Sequence, residues 1–191
     1  MNVKLLTALP LLCTAALAFS EPSGDEISTR ISRVQTRVTG GDISALNDLT
    51  ALPAKNSCPA FLAIYKKNRT DTAVTSKCAQ LLVAVPGGEE FIQKLLDRKA
   101  VDNPEFSQQE IAINCLVLNH DKTSVRILAS TLDYFNPKEM GPIILRALAT
   151  LNPPGSPTMP KGHADGAEAL AQWKEWWSAN KGNFSTEATP K

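Results

Sequence analysis

Histidine is scarce in this chain: His120 and His163 are the only two in 191 residues. A closed zinc site draws on about four ligands, so His163 with Asp165 falls short of a metal centre. A Ser-His-Asp set would have to be assembled from loops, and the Gly-x-Ser-x-Gly elbow is missing. Gly40-Gly41 and Gly87-Gly88 lack the lysine and hydroxyl residue of a phosphate loop and read as helix stops. Surplus charge is also missing, with 20 Lys and Arg against 19 Asp and Glu. Counterion displacement from nucleic acid and a basic membrane-surface face both need such a surplus. The tight basic cluster Lys66, Lys67 and Arg69 reads as a solvated helix end favoured by the helix dipole. No segment alternates like a strand, and Asp165-Gly166, a hairpin dipeptide, has no strands beside it.

What the first residues hold is an export signal. Lys4 precedes an apolar run from Leu5 to Ala18, and Ala16-Leu17-Ala18 offers small residues where an export peptidase reads. The run is shorter than the roughly 20 residues that span a bilayer, and no second such run follows. Cys13 follows Leu11 and Leu12, not the small residue that precedes a lipidated cysteine. Residues 1–18 are therefore expected to be removed, leaving a periplasmic or secreted chain without stable membrane insertion. Removal of Lys4 brings the basic count to 19, equal to the acidic one.

Export implies an oxidising compartment for Cys58, Cys78 and Cys115. Cys58 and Cys78 lie on consecutive segments joined by a polar turn at 68–71, so a disulfide between them is expected. Their distances from that turn differ by about one helical turn, at ~1.5 Å per residue. Cys115 lies four residues after Ile111 and three before Leu118, the position of a buried, inert thiol.

Apolar spacing predicts helices throughout. Residues 19–26 read as an unordered N-terminus. Ile27, Ile31, Val34 and Val38 then form a helical stripe, ended by Thr39-Gly40-Gly41. Asp42 caps a short helix running to Leu52. Further helices are expected over 59–68, 71–85, 89–99, 104–119, 121–135, 137–151 and 165–181, in one domain covering 27–184. A Pro-rich loop over 152–165 interrupts it, and 185–191 read as an unordered tail. About 173 residues suffice for one core and hardly for two.

From Asp121 the chain reads Asp121, Val125, Arg126, Ala129, Leu132 and Phe135, then Pro142, Ile143, Leu145 and Leu148. This resembles the Asp, Val-Arg, Ala, Leu pattern of HEAT repeats, followed by apolar pairs on a second helix. The same frame, with Thr75 after Val74, sits at Asp71, Val74, Cys78, Leu81 and Val85, then Phe91, Ile92, Leu95 and Leu96. The segment between, 104–119, fits no two-helix unit. The resemblance covers roughly 57–151. It implies an all-α fold, a short α-solenoid of eight or nine stacked helices that works as a non-enzymatic scaffold for a protein or peptide, without a cofactor. It also makes Arg126 a structural residue that bonds the adjacent repeat.

Trp173, Trp176 and Trp177, with Leu170 before and Phe184 after, are the most unusual cluster. Indoles on one face can stack on sugars, and exported proteins meet glycans. The other reading is a helix that closes the end of the stack, similar to Trp-rich tails of bacterial exported helical-repeat proteins. A carboxylate-based hydrolase stands as a further alternative, because paired carboxylates meet only in space. His120, between Asn119 and Asp121, is placed in a helix-capping turn.

Overall fold

In the computed structural model the described residues are 23–97, 106–133, 141–158 and 166–185. The expected export signal at residues 1–18, Pro104, His163, Asp165 and the last six residues lie outside them. Among the described residues the chain is all helix: α1 Gly24–Thr39, α2 Ala54–Lys67, α3 Thr72–Ala84, α4 Gly88–Leu96, α5 Phe106–Asn119, α6 Lys122–Ser130, α7 Gly141–Leu151 and α8 Gly166–Asn180. A nine-residue 3-10 helix, Ile43–Ala51, joins α1 to α2, and shorter 3-10 turns follow α6 and α8.

Helices two apart in the chain touch as well as neighbours. One row runs α1, the first 3-10 helix, α3, α5 and α7; α2, α4, α6 and α8 form the other. This serial order is the arrangement of a short α-solenoid, in which each element buries its stripe against the next. The two HEAT-like frames start on α3 and on α6, which lie in opposite rows. A single helix, α5, separates the second frame from the first, which is why residues 104–119 fit no pair.

The central helices are buried on more than one face. On α5, Ile111, Ala112, Ile113, Cys115 and Leu116 are all buried, although consecutive residues point about 100° apart. Burial over so wide an arc, which leaves a solvent stripe at Glu110, Asn114 and Leu118, needs neighbours on several sides, and α5 packs on α2, α3, α4, α6 and α7. Polar residues on α5 close backbone groups of its neighbours. Buried Gln109 donates to the Leu95 carbonyl in the last turn of α4 at 3.0 Å, and Asn119 Nδ2 donates to the Ala79 carbonyl on α3 at 2.9 Å.

Several boundaries differ from the periodicity. Residues 23–26 are not an unordered end: Ser23 accepts from the Glu26 N–H while Glu26 accepts from Ser23, a capping box that starts α1 at Gly24. Helix α2 begins at Ala54, before Pro59, which sits on its exposed side. There its missing N–H leaves the carbonyl of Lys55, an exposed residue, to solvent. Asp42 precedes the 3-10 helix without capping it, because its carboxylate accepts from Arg37 and the Ser44 hydroxyl. The Arg37 guanidinium reaches Asp42 and Asp48, each at 2.6 Å, and latches α1 to that helix. At the α3–α4 corner Gly87 has φ +81°, and a Cβ on Gly88 would stand 2.1 Å from the Leu82 carbonyl oxygen, so only glycine fits there.

The expected disulfide is corrected. Cys58, Cys78 and Cys115 are free thiols, each buried. Cys58 lies in the second turn of α2 and Cys78 near the middle of α3; counted from the turn between them they are about one helical turn, ~5 Å, out of step. That stagger adds to the separation of two packed helices and exceeds what a disulfide spans. The charge field of Cys78 is felt instead at Cys115, across the α3–α5 contact.

Burial pushes the Cys58 thiol up to about 11 and Cys78 to about 12, from an ordinary 9.0, and Cys115 moves the same way. The folded chain therefore keeps thiol protons that the unfolded chain releases above pH about 9. Stability should be complete below pH 9 and fall toward pH 11 by about 1.4 kcal/mol per pH unit for each thiol. Urea melts across this range, compared with Cys58→Ala, check it; an equal decline in both proteins refutes it.

Arg126 on α6 donates to Glu89 in the first turn of α4, an ion pair between neighbours in one row. Arg126 is 19% exposed, so the pair is less screened than a surface one. A double-mutant cycle of Arg126→Ala and Glu89→Ala should give a coupling of about 1 kcal/mol in chemical denaturation; a coupling near zero would leave α4 and α6 held by apolar contact alone.

Candidate functional site

Among the described residues the chain turns twice through the left-handed region without glycine. His120 (φ 49°) follows α5 and Asn152 (φ 43°) follows α7, each just past the helix end where such a residue closes the last turn. Because α5 and α7 adjoin in one row, the two turns come together. With the 3-10 turn Lys181–Phe184 they enclose a cleft of about 540 Å³. Its size lies within the range of small-ligand pockets, about 300–1,000 Å³.

The floor is apolar: Val125, Leu151, Pro153 and Phe184 are buried residues that line it. The rim is polar, carrying His120, Asp121, Lys122, Asn152, Asn180 and Asn183. Asp121 caps α6 by accepting from the Ser124 N–H at 2.7 Å. Asn180 Nδ2 donates to the Trp176 carbonyl at 2.8 Å, and Asn183 Nδ2 donates to Asn180 Oδ1 at 3.4 Å. The Pro-rich loop is tied to α8 where Trp176 Nε1 donates to the Pro154 carbonyl at 3.4 Å.

The tryptophans stand behind this cleft. Trp173 is fully buried and Trp176 is 7% exposed, their rings edge-on at 5.5 Å and 72°; Trp177 is half-buried. Trp176 and Trp177 both pack on Phe184, at 5.8 and 6.0 Å. They form no flat, wet pair on which a sugar ring would stack. Among the described residues Trp173 Nε1 has no hydrogen-bond partner, which costs about 1–3 kcal/mol. Burying roughly 150–250 Å² of indole contributes about 4–6 kcal/mol, so closing the end of the stack wins.

His120 occupies the capping turn expected of it and also borders the cleft. Lys122, Asn152, Asn180 and Asn183 were not singled out by sequence; the available signal was an asparagine placed between a helix end and Pro153-Pro154. Among the described residues, no three His, Cys, Asp or Glu side chains gather as metal ligands, and no helix is long and apolar enough to cross a membrane. A second groove, of about 370 Å³, lies between α1 and α2, but the hydroxyls of Thr36 and Thr39 that line it donate to their own helix. No protein-family model, curated protein or solved structure matches the chain.

A side chain at φ near +50° costs roughly 1–2 kcal/mol, and glycine removes that cost while loosening the unfolded chain. His120→Gly is expected to raise stability by up to about 1 kcal/mol, and Asn152→Ala to lower it by about 1 kcal/mol, in thermal or urea melts. The opposite signs would mean that these turns are not held in the left-handed region.

Proposed function

We propose that this chain is an exported, non-enzymatic, HEAT-like helical-repeat scaffold that holds a protein or peptide segment in the cleft between the α5–α6 and α7–α8 turns. The observation that carries the reading is the convergence there of His120 and Asn152, the non-glycine residues with positive φ among those described. Strained backbone persists where surrounding structure over-determines it, and ligand sites are where it clusters. A packed two-row stack supplies the rigid support, and loops on such a support carry binding groups. The apolar floor suits a peptide side chain, and the burial of Trp173 and Trp176 weighs against the carbohydrate alternative.

A photo-crosslinking amino acid placed at Lys122, and separately at exposed Gln80 on α3, tests this in the exporting cell. Peptide or protein adducts are expected at Lys122 and not at Gln80. Adducts that are glycan, or equal at both positions, overturn the reading.

A further inference from the structure

The cleft's charges and amides say more about its occupant. Asp121 and Lys122 are adjacent and of opposite sign, so the mouth offers no net field to a charged ligand. Its asparagines, in contrast, are arranged. Trp176 holds Asn180 through its carbonyl, and Asn180 spends its own carbonyl on the Asn183 amide. This relay uses one of the two Nδ2 hydrogens of Asn183 and, among the described residues, leaves its Oδ1 open as an acceptor at the rim. Across the cleft Asn152 contributes a second carboxamide, with no side-chain partner among the described residues. An acceptor held beside an apolar floor is the complement of an N–H next to an apolar side chain, which is what an extended main chain presents.

We infer that the cleft takes an uncharged, extended peptide segment, anchored by one aliphatic or aromatic side chain and read through its main-chain N–H by Asn183, with Asn152 opposite. This deepens the scaffold reading and rests on it. Binding is then sequence-tolerant apart from the anchor, and insensitive to salt. Asn180 is a positioning residue, since it acts on the ligand through Asn183.

The cleft carries its own reporter, because Phe184 lies in its floor and packs on Trp176 and Trp177. Short acetylated and amidated peptides with one Leu or Phe among Ala and Ser, each paired with a copy N-methylated at the anchor residue, are titrated against tryptophan emission beside matched peptides carrying Lys or Glu in place of Ser and soluble glycan fragments. A saturable shift is expected, with an affinity that rising salt leaves unchanged. N-methylation should weaken binding about fivefold, the effect of one hydrogen bond, to the natural chain and hardly at all to Asn183→Ala. Asn152→Gly, which keeps the turn and removes the carboxamide, should also bind more weakly.

If peptides bind but N-methylation costs the same in Asn183→Ala, or only charged peptides bind and salt abolishes it, the main-chain inference falls while the scaffold reading stands. If no peptide shifts the emission, and soluble glycan fragments do or the chain self-associates with concentration through this face, both fall.

Discussion

Everything in this fold depends on the covering of α5. A helix with adjacent buried residues such as Ile111, Ala112 and Ile113 is stable only when neighbours enclose it, and here α2, α3, α4, α6 and α7 do so. That requirement places α3 and α7 on either side of it in one row and draws the second row over it. The ends of α5 and α7 are thereby brought level, and the turns that leave them lie side by side. The cleft follows from the packing of one apolar helix, and its polar rim follows from the residues that close two helix ends.

The separation between structural and free polar groups runs through the molecule. Gln109, Asn119 and Arg126 are spent on neighbouring helices, where they bond backbone carbonyls or Glu89 and hold adjacent elements at fixed spacing. Asn152 and Asn183 differ from them. They sit at the edge of the stack, next to apolar floor, with hydrogen-bonding capacity that the other described residues do not use.

Much of the helical plan was legible in the sequence, because a stripe such as Ile27, Ile31, Val34 and Val38 has no other use than to face a neighbour. Asp71 and Asp121 read correctly as helix starts, since each carboxylate accepts from the first turn that follows. Less legible were features set by the spacing between helices. The thiols of Cys58 and Cys78 were assigned to each other from their places around one turn, whereas stagger keeps them apart, and it is Cys115, across the α3–α5 contact, that Cys78 influences. Pro59 looked like a start and lies inside α2, because Pro53 already opens that helix. The cleft was the least visible feature: its rim comes from three separate stretches of chain, and nothing in Asn152 or Asn183 alone distinguishes them from solvated asparagines.

The stack is also finished differently at its two extremities. At one, α1 shows solvent a hydrophilic side and is latched through Arg37; at the other, the packed aromatic rings of Trp173, Trp176 and Phe184 plug the last gap. Neither extremity resembles the interior surfaces by which successive helices recognise one another. Among the described residues the two ends are thus unlike: the first meets solvent through charged and hydroxyl side chains, and the last is closed by apolar rings.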